Sequence, residues 1–148
     1  MEHSDLKTLV DADHGMISRE IFTSPAIYKR ELESLFTRTW LFVGHESLIP
    51  NPGDFYLSRM GEESVILCRD RTGEVHVFLN SCTHRGMKVC RYDKGNAKVF
   101  TCPYHAWSFA LDGSLQGVPH FDDLYDGVLD RDDWSLLEVD RMVVYKGT

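Results

Sequence analysis

Apolar positions recur along this chain with two different periods, and the switch falls near Trp40. Roughly the first 20 residues are polar, mixed and without period, and read as an arm. "TSPAIYKRELESLFTRTW" then predicts a helix, with Ser24 as N-cap and Pro25 at the first helical position. Tyr28, Leu32, Leu35 and Phe36 fall on one face at helical spacing, which predicts an aromatic stripe packed in the core. Beyond Trp40 the apolar runs shorten and are split by turn residues: "WLFVGH", "FYLSRMG", "SVILCRD", "EVHVFLN", "KVFTC", "WSFAL" and "LLEVDRMVVY". "RTG" between the third and fourth predicts a hairpin, and Asp112-Gly113 a second turn. The whole predicts a mostly β chain: a small antiparallel sandwich or barrel over residues 41–148, preceded by an arm and helix over residues 1–40. The acidic "HFDDLYDGVLDRDDW" reads as a solvated loop.

Composition narrows the picture little. At 148 residues with 43% hydrophobic content, the chain can bury a core as an ordinary globular domain. A net charge of −7 argues against nucleic acid or an anionic membrane as partner and leaves positively charged proteins open. No apolar run reaches membrane-spanning length and no basic leader opens the chain, so the expectation is cytoplasmic. Thiols stay reduced there, and four cysteines then point to metal or catalysis before disulfides.

Candidate chemistry is concentrated in "NSCTHRGMKVC" and "TCPYHAWSF", which place Cys82-x-His84 in one loop and Cys102-x-x-His105 in another. Zinc, a disulfide and an iron–sulfur cluster are the candidates. Structural zinc knuckles usually pair like with like, whereas here each pair is mixed. Two loops that each carry one thiolate and one imidazole suit a two-metal centre, with both sulfurs on one iron and both imidazoles on the other, as in Rieske ligation. Gly86 permits a tight first loop and Pro103 stiffens the second. Cys68 and Cys90 read as free thiols. His3, His14, His45 and His76 stand isolated, and His120-x-Asp122 looks like half of a facial triad with no third ligand.

"CTHRGM" and "CPYHAWSF" resemble the Rieske domain of bacterial aromatic-ring-hydroxylating dioxygenase α subunits, in the phenylpropionate, biphenyl and polycyclic-arene branch. The likeness extends through "IYKRELESLFTRTWLFVGHESLIPNPGDF" and "NAKVFTCPYHAWSFALDGSLQGVP". It implies a [2Fe–2S] cluster on Cys82, His84, Cys102 and His105, with the electron leaving through His105 or His84. It further implies NADH-derived electrons delivered by a ferredoxin or a reductase. The aromatic substrate would be cis-dihydroxylated at a mononuclear Fe(II) in a C-terminal catalytic domain that this chain lacks, so the chain alone would be inactive. An α-subunit trimer, with or without a small β subunit, comes with the same resemblance. A stand-alone Rieske ferredoxin and a zinc-stabilised module are the rivals; Arg85-Gly86 and the N-terminal helix favour the oxygenase. Two departures stand out. Ala106 replaces the family's usual Gly, tolerable if its backbone angle stays negative, and Phe109 replaces a frequent Tyr. High-potential Rieske proteins carry a loop-clamping disulfide and hydroxyl donors where this chain has Met87, Tyr104, Trp107 and Phe109, so the resemblance implies a low potential.

Overall fold

The polar arm doubles back on itself. In the computed structural model, which describes residues 6–148 and so leaves His3 outside, Val10–Asp11 (β1) pairs antiparallel with Met16–Ile17 (β2). The Asp11 carboxylate accepts from the His14 N–H and faces its ring nitrogen at 2.8 Å. Glu20–Thr23 (α1) and Pro25–Glu31 (α2) follow, and α2 runs on into a π-helical turn at Leu32–Phe36. Pro25 takes the first helical position, but the Ser24 side chain makes no capping bond. The predicted stripe is not the buried face: Tyr28 and Leu35 are exposed, and Ile27 is the buried residue. Ile27 lies about 100° round the helix from Tyr28, and the wide π turn shifts the phase of whatever follows it. Tyr28 and Phe36 still meet edge to face at 6.5 Å.

The chain divides into two compact units, Met1–Leu41 and Phe42–Thr148. "WLFVGH" forms no strand, and Trp40 and Phe42 are exposed. The second unit is built round Asp54–Met60 (β3), Glu63–Arg69 (β4), Val75–Leu79 (β5) and Lys94–Asn96 (β6), an antiparallel sheet of order β5-β4-β3-β6. The apolar run in β4 is explained by burial on both faces. Val65 and Leu67 pack with Ile49 and Val77, while Ile66 and Cys68 join the main core with Phe55, Phe78 and Trp107. Phe100–Thr101 (β7), Ser108–Phe109 (β8) and Leu115–Gly117 (β9) form a second sheet, and Phe100 meets Phe55 edge to face at 5.7 Å. The sheets are antiparallel throughout, as expected for a small sandwich. Gly113 (φ +85°) lies under Phe78, where an added Cβ would fall 2.6 Å from the ring.

Two expectations near the C-terminus need correction. The acidic segment is not simply solvated: Phe121–Tyr125 forms a short helix (α3), and Phe121, Tyr125, Leu129 and Trp134 pack against the core while the aspartates stay outside. "LLEVDRMVVY" is not a full strand. Leu79 N–H donates to the Leu137 carbonyl and Val139 N–H to the Val77 carbonyl, after which the segment leaves β5 and Met142, Val143 and Tyr145 are exposed.

Candidate metal centre

Both candidate loops close by the same hydrogen bonds. In the first, the Cys82 N–H donates to the Met87 carbonyl (2.8 Å) and the Gly86 N–H to the Cys82 carbonyl (2.7 Å). In the second, the Cys102 N–H donates to the Trp107 carbonyl (2.8 Å) and the Ala106 N–H to the Cys102 carbonyl (3.0 Å). The residue four beyond each cysteine must turn left-handed for the loop to close, and Gly86 does so at φ 70°. Ala106 does so at φ 56°, so the negative angle on which its ready tolerance depended is not the one adopted, and the methyl is carried in the left-handed region as the loop closes.

The first loop is held at its base by Asn80, which is 4% exposed. Its amide accepts from the Cys90 N–H and donates to the Cys90 carbonyl, both at 2.8 Å, and reaches Ser64 Oγ on β4 at 3.2 Å. Thr83 Oγ1 donates to the Trp134 carbonyl at 2.7 Å and ties the loop to the C-terminal segment. Neither tie was legible in the sequence, where Asn and Thr beside a loop signal only a turn.

Cys82 and Cys102 are each 2% exposed and interact with one another, while the rings of His84 and His105 meet edge-on at 4.8 Å and are partly exposed. The arrangement is therefore sulfur inside and imidazole at the rim. His84 is stacked on Trp107 (4.6 Å, 6° between planes), and Tyr104 is stacked on His105 (3.8 Å). Trp107 is in turn met edge-on by Tyr125 and Trp134. Burial raises the Cys82 thiol above its usual range, with Cys102 adding to the effect. Burial lowers His84, helped by His105 and Arg85, which keeps a nitrogen lone pair free.

His105 Nδ1 is buried and has no hydrogen-bond partner, an expensive vacancy for a polar atom unless something coordinates it. Among the described residues, the only His, Cys, Asp and Glu donors that converge within 4.8 Å are those of Asp70, Glu74 and His76. No three of Cys82, His84, Cys102 and His105 therefore surround one point. A single tetrahedral zinc, with bonds of about 2.0–2.3 Å, would need all four donors closer together than that. Two thiolates and two imidazoles held as separate pairs fit a binuclear group, and these four residues could hold a [2Fe–2S] cluster.

The Rieske [2Fe–2S] domain family matches residues 39–129, well over half of the chain. The chain belongs to that family. The Rieske domain is 46% identical to the α subunit of biphenyl 2,3-dioxygenase from Rhodococcus jostii (strain RHA1) over 97% of its length, and 44% identical to that of benzene 1,2-dioxygenase from Pseudomonas putida. Naphthalene 1,2-dioxygenase from Rhodococcus sp. superposes with a TM-score of 0.85 at 39% identity, covering 97% of the chain. A quaternary ammonium Rieske monooxygenase gives a TM-score of 0.75 at 31% identity over 87% of the chain. The chain spans about a third of the length of the curated relatives it matches. These relatives are oxygenase subunits, and they lend the free-ferredoxin reading no support.

Elsewhere in this Rieske domain Cys68 and Cys90 are buried free thiols, and no disulfide clamps the loops. Cys68 Sγ donates to the Leu111 carbonyl (3.4 Å), and burial pushes its pKa up to about 12. Of the isolated histidines, His14, His45 and His76 have polar neighbours, although His76 Nε2 is buried without a hydrogen-bond partner, 3.8 Å from Asp70. His45 faces Ser47, and His76 Nδ1 faces Glu138 Oε1 at 2.8 Å. His120 lies 3.8 Å from Asp123, not Asp122. No helix among the described residues is long and apolar enough to cross a membrane.

Proposed function

We propose that this Rieske domain is the electron-input part of an aromatic-ring-hydroxylating dioxygenase α subunit, with Cys82 and Cys102 on one iron and His84 and His105 on the other. The observation that carries the reading is the sorting of donors by depth: paired thiols in the core, paired imidazoles at the rim. When bound, the cluster supplies one-electron redox chemistry. The protein's own part is to exclude water from the sulfurs, which Trp107, Phe109 and the buried cysteines do. It must also present imidazole at the surface. With Nδ1 of His105 turned inward, Nε2 is left to exchange protons and to meet an acceptor, so the electron leaves by His105 or His84.

Arene substrates follow from relatives that act, by name, on biphenyl and benzene. The quaternary ammonium Rieske monooxygenase is less similar, which favours the arene reading. A mononuclear Fe(II) domain, a ferredoxin or NADH reductase as donor, and an α-subunit trimer belong to the same reading. Cys68 and Cys90 as free thiols suit a reducing compartment such as the cytoplasm. Metal analysis and EPR of the reduced chain test the proposal: equal iron and acid-labile sulfide with a Rieske signal are expected, and stoichiometric zinc without sulfide sinks it. Cis-diol formation by the isolated chain would show that a second, unrecognised iron site lies within it.

A further inference from the structure

The net charge of −7 hides a segregation. Residues 85–98 carry Arg85, Lys88, Arg91, Lys94 and Lys98 against Asp93 alone, whereas residues 122–140 carry eight acids against Arg131. The fold gathers part of the basic stretch into a cleft of about 450 Å³ beside β3, lined by Tyr56, Arg59, Ser64, Lys88 and Arg91, with Asp93 its one acid. Among the described residues none of the three cations is used in an ion pair, so their charge faces solvent. The cleft wall is continuous with the candidate metal centre. Lys88 follows Met87, whose carbonyl holds the Cys82 N–H, and Cys90 is locked to Asn80 on both sides of its peptide.

We infer that this cleft is the landing site of an acidic protein that donates one electron, an inference that rests on the electron-input reading above. Unpaired arginine and lysine beside a redox site raise the encounter rate with a partner of opposite sign and orient it. The donor gives up one electron and is oxidised; no bond is made or broken. Nucleic acid and an anionic membrane are the less favoured occupants, because the eight acids of residues 122–140 repel any long polyanion while a compact acidic patch can dock in one cleft.

The test is isothermal titration of the cluster-loaded chain with an oxidised, acidic [2Fe–2S] ferredoxin at low and high salt. Affinity is expected to fall about ten-fold in Arg59→Glu/Lys88→Glu/Arg91→Glu and less than about two-fold in the equally charged Arg71→Glu/Arg141→Glu/Lys146→Glu. Added salt should weaken the parent complex. Lys88→Glu alone, at an exposed position, should give a smaller loss in the same direction should the triple variant fail to fold. Equal losses in the two triple variants, salt-independent binding, or equal affinity for a 20-base-pair DNA duplex would overturn the inference. Failure of the parent chain to assemble a Rieske centre strikes the functional reading instead, so the two failures are distinguishable.

Discussion

Gly86 and Ala106 occupy the same place in two loops of different sequence, each donating its N–H to the carbonyl of the cysteine four residues before it and each with positive φ. The left-handed region costs a residue with a Cβ roughly 1–2 kcal/mol and costs glycine little. Ala106→Gly should therefore stabilise the chain by about 1 kcal/mol, a rise in Tm of roughly 2–4 °C. Gly86→Ala should destabilise it, although the nearest atom to the added Cβ, Ser81 Oγ, is 3.8 Å away and there is no clash. Thermal unfolding of both variants checks the pair, and a drop in Tm for Ala106→Gly would mean the methyl makes a contact that outweighs the strain.

Trp107 holds His84 from below and is itself 2% exposed. Trp107→Ala should cost about 3–5 kcal/mol and release the His84 ring. Trp107→Phe, which keeps a flat surface under the imidazole, should cost less and leave the visible spectrum closer to the parent. Bleaching of that spectrum during heating, compared across the three proteins, separates ring support from bulk stability.

The four cysteines should behave as two classes. Cys82→Ser and Cys102→Ser should each abolish cluster assembly, because a neutral hydroxyl is a poor replacement for a thiolate on iron. Cys68→Ser and Cys90→Ser should leave the EPR spectrum unchanged, since Cys68 is held protonated by burial and already donates to Leu111. Iron content after purification reads the difference.

Asp54 lies below its ordinary range chiefly because Asn96 donates to its carboxylate at 2.8 Å, with the Asn51 N–H second. A depressed carboxylate binds its proton later in the folded chain than in the unfolded one. Its contribution is complete above about pH 4 and is lost as pH falls through the folded value. Asn96→Ala should accordingly destabilise more at pH 7 than at pH 3. Urea midpoints of parent and variant at the two pH values decide it; an equal loss at both would assign the effect to the Asn96–Pro52 bond alone.

The absence of hydroxyl donors at Trp107 and Phe109 makes reduction harder, because hydrogen bonds to sulfur stabilise the more negative state. A midpoint on the order of −150 mV is expected. Net negative charge pushes the same way and the basic stretch at residues 85–98 the other, both weakened by screening. Potentiometric titration followed by EPR measures it, and a positive midpoint would reveal donors supplied from elsewhere in the fold.

What the sequence determined by itself is whatever depends on residues close together in the chain. The donor pairs lie within two or three residues of each other, so their chemistry was readable before any fold was known. The β4–β5 hairpin and the turn at Asp112-Gly113 that joins β8 to β9 were readable for the same reason, since a short turn limits the strands it can join. Tertiary structure decided what depends on partners far along the chain. Burial of Ile27 instead of Tyr28, the docking of Tyr125 and Trp134 against the core, and the early departure of residues 140–145 from β5 are outcomes of packing, to which local pattern is nearly blind. The positive φ of Ala106 belongs here too. Closure of its loop overrode an intrinsic preference that the residue type alone would have set. Charge shows the division most plainly. A sum over the sequence is negative, but Arg59 from β3 and Lys88 and Arg91 from the first loop meet only after folding, and a partner encounters the surface, not the sum.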